Sequence, residues 1–265
     1  MKLLLAFIML GVIISDPAYA EFKEVNIPPQ TEKKLNGECM GSGDAIQLHG
    51  GIVSIKKSSG EEYPLNFDKQ AGELLGYSGS SGNPKVCILA LKYAENYVNE
   101  SYLLFVYDVH LGKFRLSKVK SIINPDFIKD GIASEYTDGP MGRREKVCYS
   151  NKIKDYYFCE KAEQFSDQLE KRQICNELSC AEPEILKQGT SNILAATISE
   201  EKVYLLDKKN DSVFNQRKAY LLKGDKVVLN DYYDGGEGLY YQVTYVGKVS
   251  TKGWVRKSSI AIGSD

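Results

Sequence analysis

Ala219-Tyr-Leu-Leu-Lys-Gly-Asp-Lys-Val-Val-Leu229, followed by Leu239-Tyr-Tyr-Gln-Val-Thr-Tyr245 and Lys252-Gly-Trp-Val-Arg256, is the stretch on which the fold turns. Tyr, Val and Leu suit the pleated, half-buried surface of a strand. The Gly- and Asp-containing breaks between the runs carry turn chemistry. Gly224 permits a tight reversal, and Asp225 can accept hydrogen bonds from the amides of that turn. With Lys202-Val-Tyr-Leu205 ahead of them, these segments predict a small barrel of short strands over 202–265.

The same period runs through the rest of the chain. Ala45-Ile-Gln-Leu48, Gly51-Ile-Val-Ser-Ile55 and Glu62-Tyr-Pro-Leu-Asn-Phe67 alternate apolar with polar residues between Gly- and Ser-rich breaks. Val86-Cys-Ile-Leu-Ala-Leu-Lys-Tyr93 is a longer apolar run that fits a buried strand. Tyr102 to Leu116 predicts a hairpin turning at Gly112, and Lys146 to Glu160 a second one. Tyr77 to Pro84 and Ile122 to Gly142 predict loops. Ala162 to Arg172, with Phe165 and Leu169 four apart, is either a short helix or a turn between strands. The fold class expected is all-β: an antiparallel, disulfide-stapled domain over 21–190, a linker over 191–201 and the small barrel over 202–265.

Met1 to Ile14 places one Lys before a short apolar run, and Ala18-Tyr-Ala20 follows. That order predicts a signal peptide over 1–20, cleaved near Ala20, and a periplasmic or secreted product. The run is too short to favour a transmembrane segment. Six cysteines, Cys39, Cys87, Cys148, Cys159, Cys175 and Cys180, then predict disulfides. The pairs Cys39–Cys87, Cys148–Cys159 and Cys175–Cys180 form one set. Cys159–Cys175, symmetric about Ser166-Asp167, is the rival to two of them, because facing Cα atoms within about 7 Å are what a disulfide needs. Cys175-x4-Cys180 is loosely spaced for zinc and has no His beside it, so no metal is expected.

Charge excludes little. Residues 202–265 hold 11 basic and 7 acidic residues, whereas 21–201 hold 22 and 27. So small an excess gives no nucleic-acid footprint. The two histidines, His49 and His110, lie in no catalytic pattern, and no Gly-x-Ser-x-Gly elbow, phosphate loop or dinucleotide fingerprint is present. No catalytic residue and no cofactor are expected. Tyr93 to Glu100 lacks the alternating oxygen ligands of a calcium loop. Asn99-Glu-Ser101 and Asn210-Asp-Ser212 match glycosylation acceptors, which matter in a eukaryotic secretory pathway.

Tyr220-Leu-Leu-Lys-Gly-Asp-Lys-Val-Val228 with Gly253-Trp-Val255 resembles the bacterial SH3 family, in which a Lys-Gly-Asp turn separates two strands and Gly-Trp opens a late one. The resemblance covers about a quarter of the chain. It implies a non-catalytic module that binds peptidoglycan or a cell-envelope protein. Tyr232, Tyr233, Tyr240 and Tyr241, flanking Asp234-Gly-Gly236, are the ligand-binding candidates, and Trp254 is either core or platform. Through Tyr102 to Phe127, with its hairpin and its Asn124-Pro-Asp-Phe127 end, the N-terminal part is distantly similar to exported β-rich bacterial domains, some of them resembling periplasmic inhibitors. Ser59-Gly-Glu-Glu-Tyr63 is similar to the Ser-Gly-x-x-Tyr loop of periplasmic lysozyme inhibitors, which makes Ser59, Gly60 and Tyr63 the candidates for an inhibitor or immunity role. A plain hairpin turn explains the same residues.

Overall fold

The computed structural model describes residues 21–35, 44–68, 72–81, 86–166, 168–210 and 213–263. Segment 1–20, expected to be a signal peptide, and Cys39, with its expected bond to Cys87, lie outside the described residues. Those residues form strands almost throughout and no α-helix.

The first strands are β1 (Glu21–Ile27), β2 (Thr31–Lys34), β3 (Ala45–His49), β4 (Ile52–Lys56), β5 (Glu62–Asp68), β6 (Leu74–Ser81), β7 (Val86–Glu95), β8 (Glu100–Asp108) and β9 (Lys113–Ile123). They make two antiparallel sheets, ordered β1-β6-β7-β8-β9 and β2-β3-β4-β5. A third sheet runs in sequence order through β10 (Pro125–Ile128), β11 (Gly131–Asp138), β12 (Met141–Ser150), β13 (Asp155–Gln164), β14 (Leu169–Ile174) and β15 (Glu184–Lys187). The last comprises β16 (Ala195–Ile198), β17 (Lys202–Lys208), β18 (Phe214–Leu222), β19 (Lys226–Gly235), β20 (Gly238–Val246), β21 (Ser250–Arg256) and, after a 3₁₀ turn at Lys257–Ser259, β22 (Ile260–Ile262). Its order is β18-β17-β21-β20-β19-β16-β22, and it curls into a half-barrel.

The sheet containing β7 is the middle layer of three. Leu89, Leu91 and Phe105 face one way and pack with Ile46, Val53, Ile55 and Phe67 of the four-stranded sheet. Ile88, Ala90 and Leu104 face the other way and pack with Ile132, Val147 and Tyr156 of the third sheet. A strand covered on both faces reads as a nearly unbroken apolar run, and β7 does. The outer contact is pinned by a buried carboxylate. Asp155, wholly buried, accepts hydrogen bonds from Ser117 Oγ (2.7 Å), the Tyr156 amide (2.7 Å) and the Arg115 guanidinium. Arg115 also reaches Asp108 (3.3 Å) and the Lys154 carbonyl (2.7 Å).

The expected turns form. Gly112 (φ +61°) closes the β8–β9 hairpin, and Gly224 (φ +90°) sits between β18 and β19. There Asp225 Oδ2 accepts the Leu222 amide at 2.8 Å. Three expectations need correcting, and one open reading is resolved. Tyr77–Ser81 is not loop but the end of β6, held between β1 and β7. Ile122–Gly142 contains β10 and β11. Of the two readings of Ala162–Arg172 the reversal between strands holds, not the helix: the segment carries the end of β13 and the start of β14. Segment 191–201, expected as a linker, carries β16, which pairs with both β19 and β22. Upstream, β15 places Ile185 in the half-barrel's own core.

Candidate binding cleft between the third sheet and the half-barrel

Two strand ends meet where the third sheet touches the half-barrel. Phe165 follows β13 directly, and its ring stacks on Tyr232 of β19 at 3.8 Å between centroids, 17° from parallel. Tyr241 of β20 meets Phe165 edge-on at 6.4 Å. Tyr232 and Tyr241 are cross-strand partners, so alternation along β19 and β20 sends both rings the same way.

Around this stack lies a cleft of about 560 Å³. Met141, Leu169, Leu239 and Ile262 supply apolar wall; Asp234 and Lys257 bring one charge of each sign. A mostly apolar hollow with few polar groups is the usual form of a binding site. The Tyr232 hydroxyl donates to the Glu163 carboxylate and lies 3.6 Å from Met141 Sδ. Arg143 holds the other Glu163 oxygen at 2.7 Å and reaches Asp138 at 3.0 Å. Lys171 bridges to Asp231 at 3.1 Å with its ammonium 5.3 Å from the Tyr232 ring centre. Burial first, and the Glu163 carboxylate second, raise the Tyr232 phenol well above its ordinary value. Tyr241 moves the same way, by burial and then by the Asp234 charge. Both phenols stay protonated at neutral pH, and that of Tyr232 serves as a donor.

The opposite face of β19–β21 carries a second aromatic group. Tyr233, Tyr240 and Trp254 lie under Phe214, which stacks on Tyr240 at 4.2 Å and meets Trp254 at 5.8 Å. Lys208 sits 4.1 Å from the Tyr233 ring centre and 5.5 Å from that of Trp254. Tyr240 and Trp254 are 2% and 7% exposed, with the Phe214 ring packed against both. The five candidates thus divide. Tyr232 and Tyr241 line the cleft; Tyr233, Tyr240 and Trp254 belong to a covered cluster on the other face. Phe165, Met141, Leu239 and Ile262 complete the cleft, and none was singled out as a ligand contact in the sequence. The signal for Phe165 was its place four residues before Leu169, which suggested a helix face.

Ser59 and Gly60 form the exposed tip of the β4–β5 turn, with Gly60 at φ +90°. Tyr63 is not at that tip. Its ring is 7% exposed, and its hydroxyl oxygen accepts the Phe114 amide at 3.0 Å. Burial pushes its phenol up to about 12. His49 is exposed with Nδ1 3.2 Å from Gln30 Oε1, and His110 lies on the β8–β9 turn. Asn99 is buried, and its amide nitrogen donates to the Thr137 carbonyl at 2.8 Å, a poor glycan acceptor in the folded chain.

Disulfides join Cys148 to Cys159 and Cys175 to Cys180. They fit an extracellular or periplasmic protein. Among the described residues no helix is long and apolar enough to cross a membrane, and no three His, Cys, Asp or Glu side chains gather as metal ligands would. No protein-family model, curated protein or solved structure matches the chain.

Proposed function

We propose that this is an exported, non-catalytic binding protein of the bacterial cell envelope. Its C-terminal half-barrel works as an SH3-like module that contacts peptidoglycan or a protein partner through the cleft at Phe165, Tyr232 and Tyr241. The observation that carries this reading is the aromatic-floored hollow of about 560 Å³ with Asp234 and Lys257 among its lining. Apolar wall receives a side chain or a sugar face, and the paired charges can engage the amino and carboxylate groups of a peptide stem. The test is co-sedimentation with insoluble peptidoglycan. Wild type should pellet, and Leu239→Glu, which puts a charge on the apolar wall, should stay in the supernatant. Wild type remaining in the supernatant would remove peptidoglycan as the ligand.

A second reading, an inhibitor or immunity protein against a cell-wall hydrolase, is favoured by the other end of the molecule. The Ser59–Gly60 tip stands beside the β8–β9 turn, tied to it by Lys113–Glu61 at 2.7 Å. On that turn Val109 and Leu111 are 77% and 64% exposed. Inhibition of lysozyme by wild type, weakened by Ser59→Ala or Leu111→Asp, would support it. Full lysozyme activity at excess protein would end it for that target.

A further inference from the structure

We propose that the four cysteines of the third sheet form a thiol–disulfide exchange site. A thiol or dithiol reactant enters at Cys180, and the exchange is relayed through Cys175 to Cys159. The inference stands independently of the cleft.

Its basis is strand register. Glu160 of β13 faces Ile174 of β14. One residue further along, the Cys175 amide donates to the Cys159 carbonyl at 2.9 Å. Cys159 of β13 and Cys175, the residue just past β14, are therefore opposed across neighbouring antiparallel segments, although each is bonded to a different partner. Opposed residues point to the same face with Cβ atoms about 4.5–5.5 Å apart. A disulfide spans about 3.5–4.5 Å between Cβ atoms, so a small strand adjustment suffices to join them. Cys148, on β12, is bonded to Cys159 with Cα atoms 5.7 Å apart. The four cysteines follow one another across the sheet in the order Cys148, Cys159, Cys175, Cys180, and the pairing that the sequence left open as a rival is the central step.

Exposure gives this order a direction. Cys180 is exposed, Cys175 is 8% exposed, and Cys148 and Cys159 are half-buried. An external thiolate meets Cys180 Sγ first. It forms a mixed disulfide there, the Cys175–Cys180 bond breaks, and Cys175 Sγ leaves as a thiolate. That thiolate attacks Cys159 Sγ. The Cys159–Cys175 bond forms, the Cys148–Cys159 bond breaks, and Cys148 Sγ leaves as a thiolate that takes a proton from water. Two disulfide bonds exist before and after, so no further oxidant or reductant is consumed. A dithiol reactant would go on to release Cys180 with its second sulfur.

Reduced glutathione in limiting amount, quenching with a maleimide and disulfide mapping by mass spectrometry test this on the intact chain. The expected product links Cys159 to Cys175, carries glutathione on Cys180 and maleimide on Cys148. In Cys175→Ser the relay is cut, and maleimide labelling of Cys148 should slow at least tenfold. Cys180→Ser leaves the Cys175 thiol in place and should populate Cys159–Cys175 with Cys148 released before any thiol is added. Glutathione on Cys180 with Cys148–Cys159 intact would overturn the proposal. So would unchanged Cys148 labelling in Cys175→Ser, or an exclusively intact Cys148–Cys159 bond in Cys180→Ser.

Discussion

Tyr232 does two jobs with one side chain: its ring covers Phe165 and its hydroxyl donates to Glu163. The two can be separated. Tyr232→Phe keeps the stack and deletes one hydrogen bond to a charged acceptor, which should cost about 1–2 kcal/mol. Tyr232→Ala removes the ring as well and should cost about 3 kcal/mol. Urea midpoints at constant slope measure both; equal losses would mean that the ring contributes nothing. Tyr63 supplies a pH test. Its phenol titrates near 12 in the folded chain, against about 10 in an unfolded one. Between those values the unfolded chain gives up the proton while the folded chain keeps it. The stability tied to this group is whole below about pH 10 and falls as pH rises toward 12. Tyr63→Phe should flatten that decline in stability against pH; an unchanged slope would show that Tyr63 ionises as freely folded as unfolded.

At the scale of elements, β15 decides where one unit ends and the next begins. Ile185 is wholly buried among half-barrel residues, and the Leu194 amide donates to its carbonyl at 2.9 Å. Ile185→Ala should therefore destabilise by about 2–5 kcal/mol and act on the half-barrel first. Hydrogen exchange should show β19 and β20 losing protection before β7. Loss in β7 first would place Ile185 in the wrong core. The sequence hid this strand between Pro183 and Gly189, because its four residues are too few to show a period. It hid β6 for a related reason. Tyr77-Ser-Gly-Ser-Ser81 has turn composition, yet β1 and β7 pair it from both sides, and Ser78 and Ser80 are small enough to be buried. Local composition lost to non-local pairing in both places. Where composition and pairing agreed, as in β7, in the β8–β9 hairpin and at Gly224, the strands were legible. The cleft was half legible. The sequence offered Tyr232 and Tyr241 among four tyrosines, but the β19–β20 register is what sets those two on one face, and Phe165 arrives from a segment whose burial depends on a sheet distant in sequence.

For the whole molecule, the question is whether the half-barrel stands alone. The resemblance marks 202–265 as the unit, but the packing argues for a larger one. Among the described residues β22 is paired with β16, so a fragment beginning at Lys202 leaves β22 without a partner and β19 with a bare edge. It also loses Ala196 and Ile198, 2% and 1% exposed, and Ile185. Small domains bury too little surface to tolerate such losses. A fragment of residues 202–263 should show no cooperative thermal transition by circular dichroism. One of 184–263 regains β15 and β16 and should melt cooperatively, though below the intact chain, because Phe165 no longer covers Tyr232. Equal melting of the two fragments would make the half-barrel self-sufficient. If 184–263 melted with the intact chain instead, the third sheet ahead of β15 would contribute to the cleft and nothing to the half-barrel's stability, and a mutation in Phe165 should alter ligand retention while leaving the melting temperature unchanged.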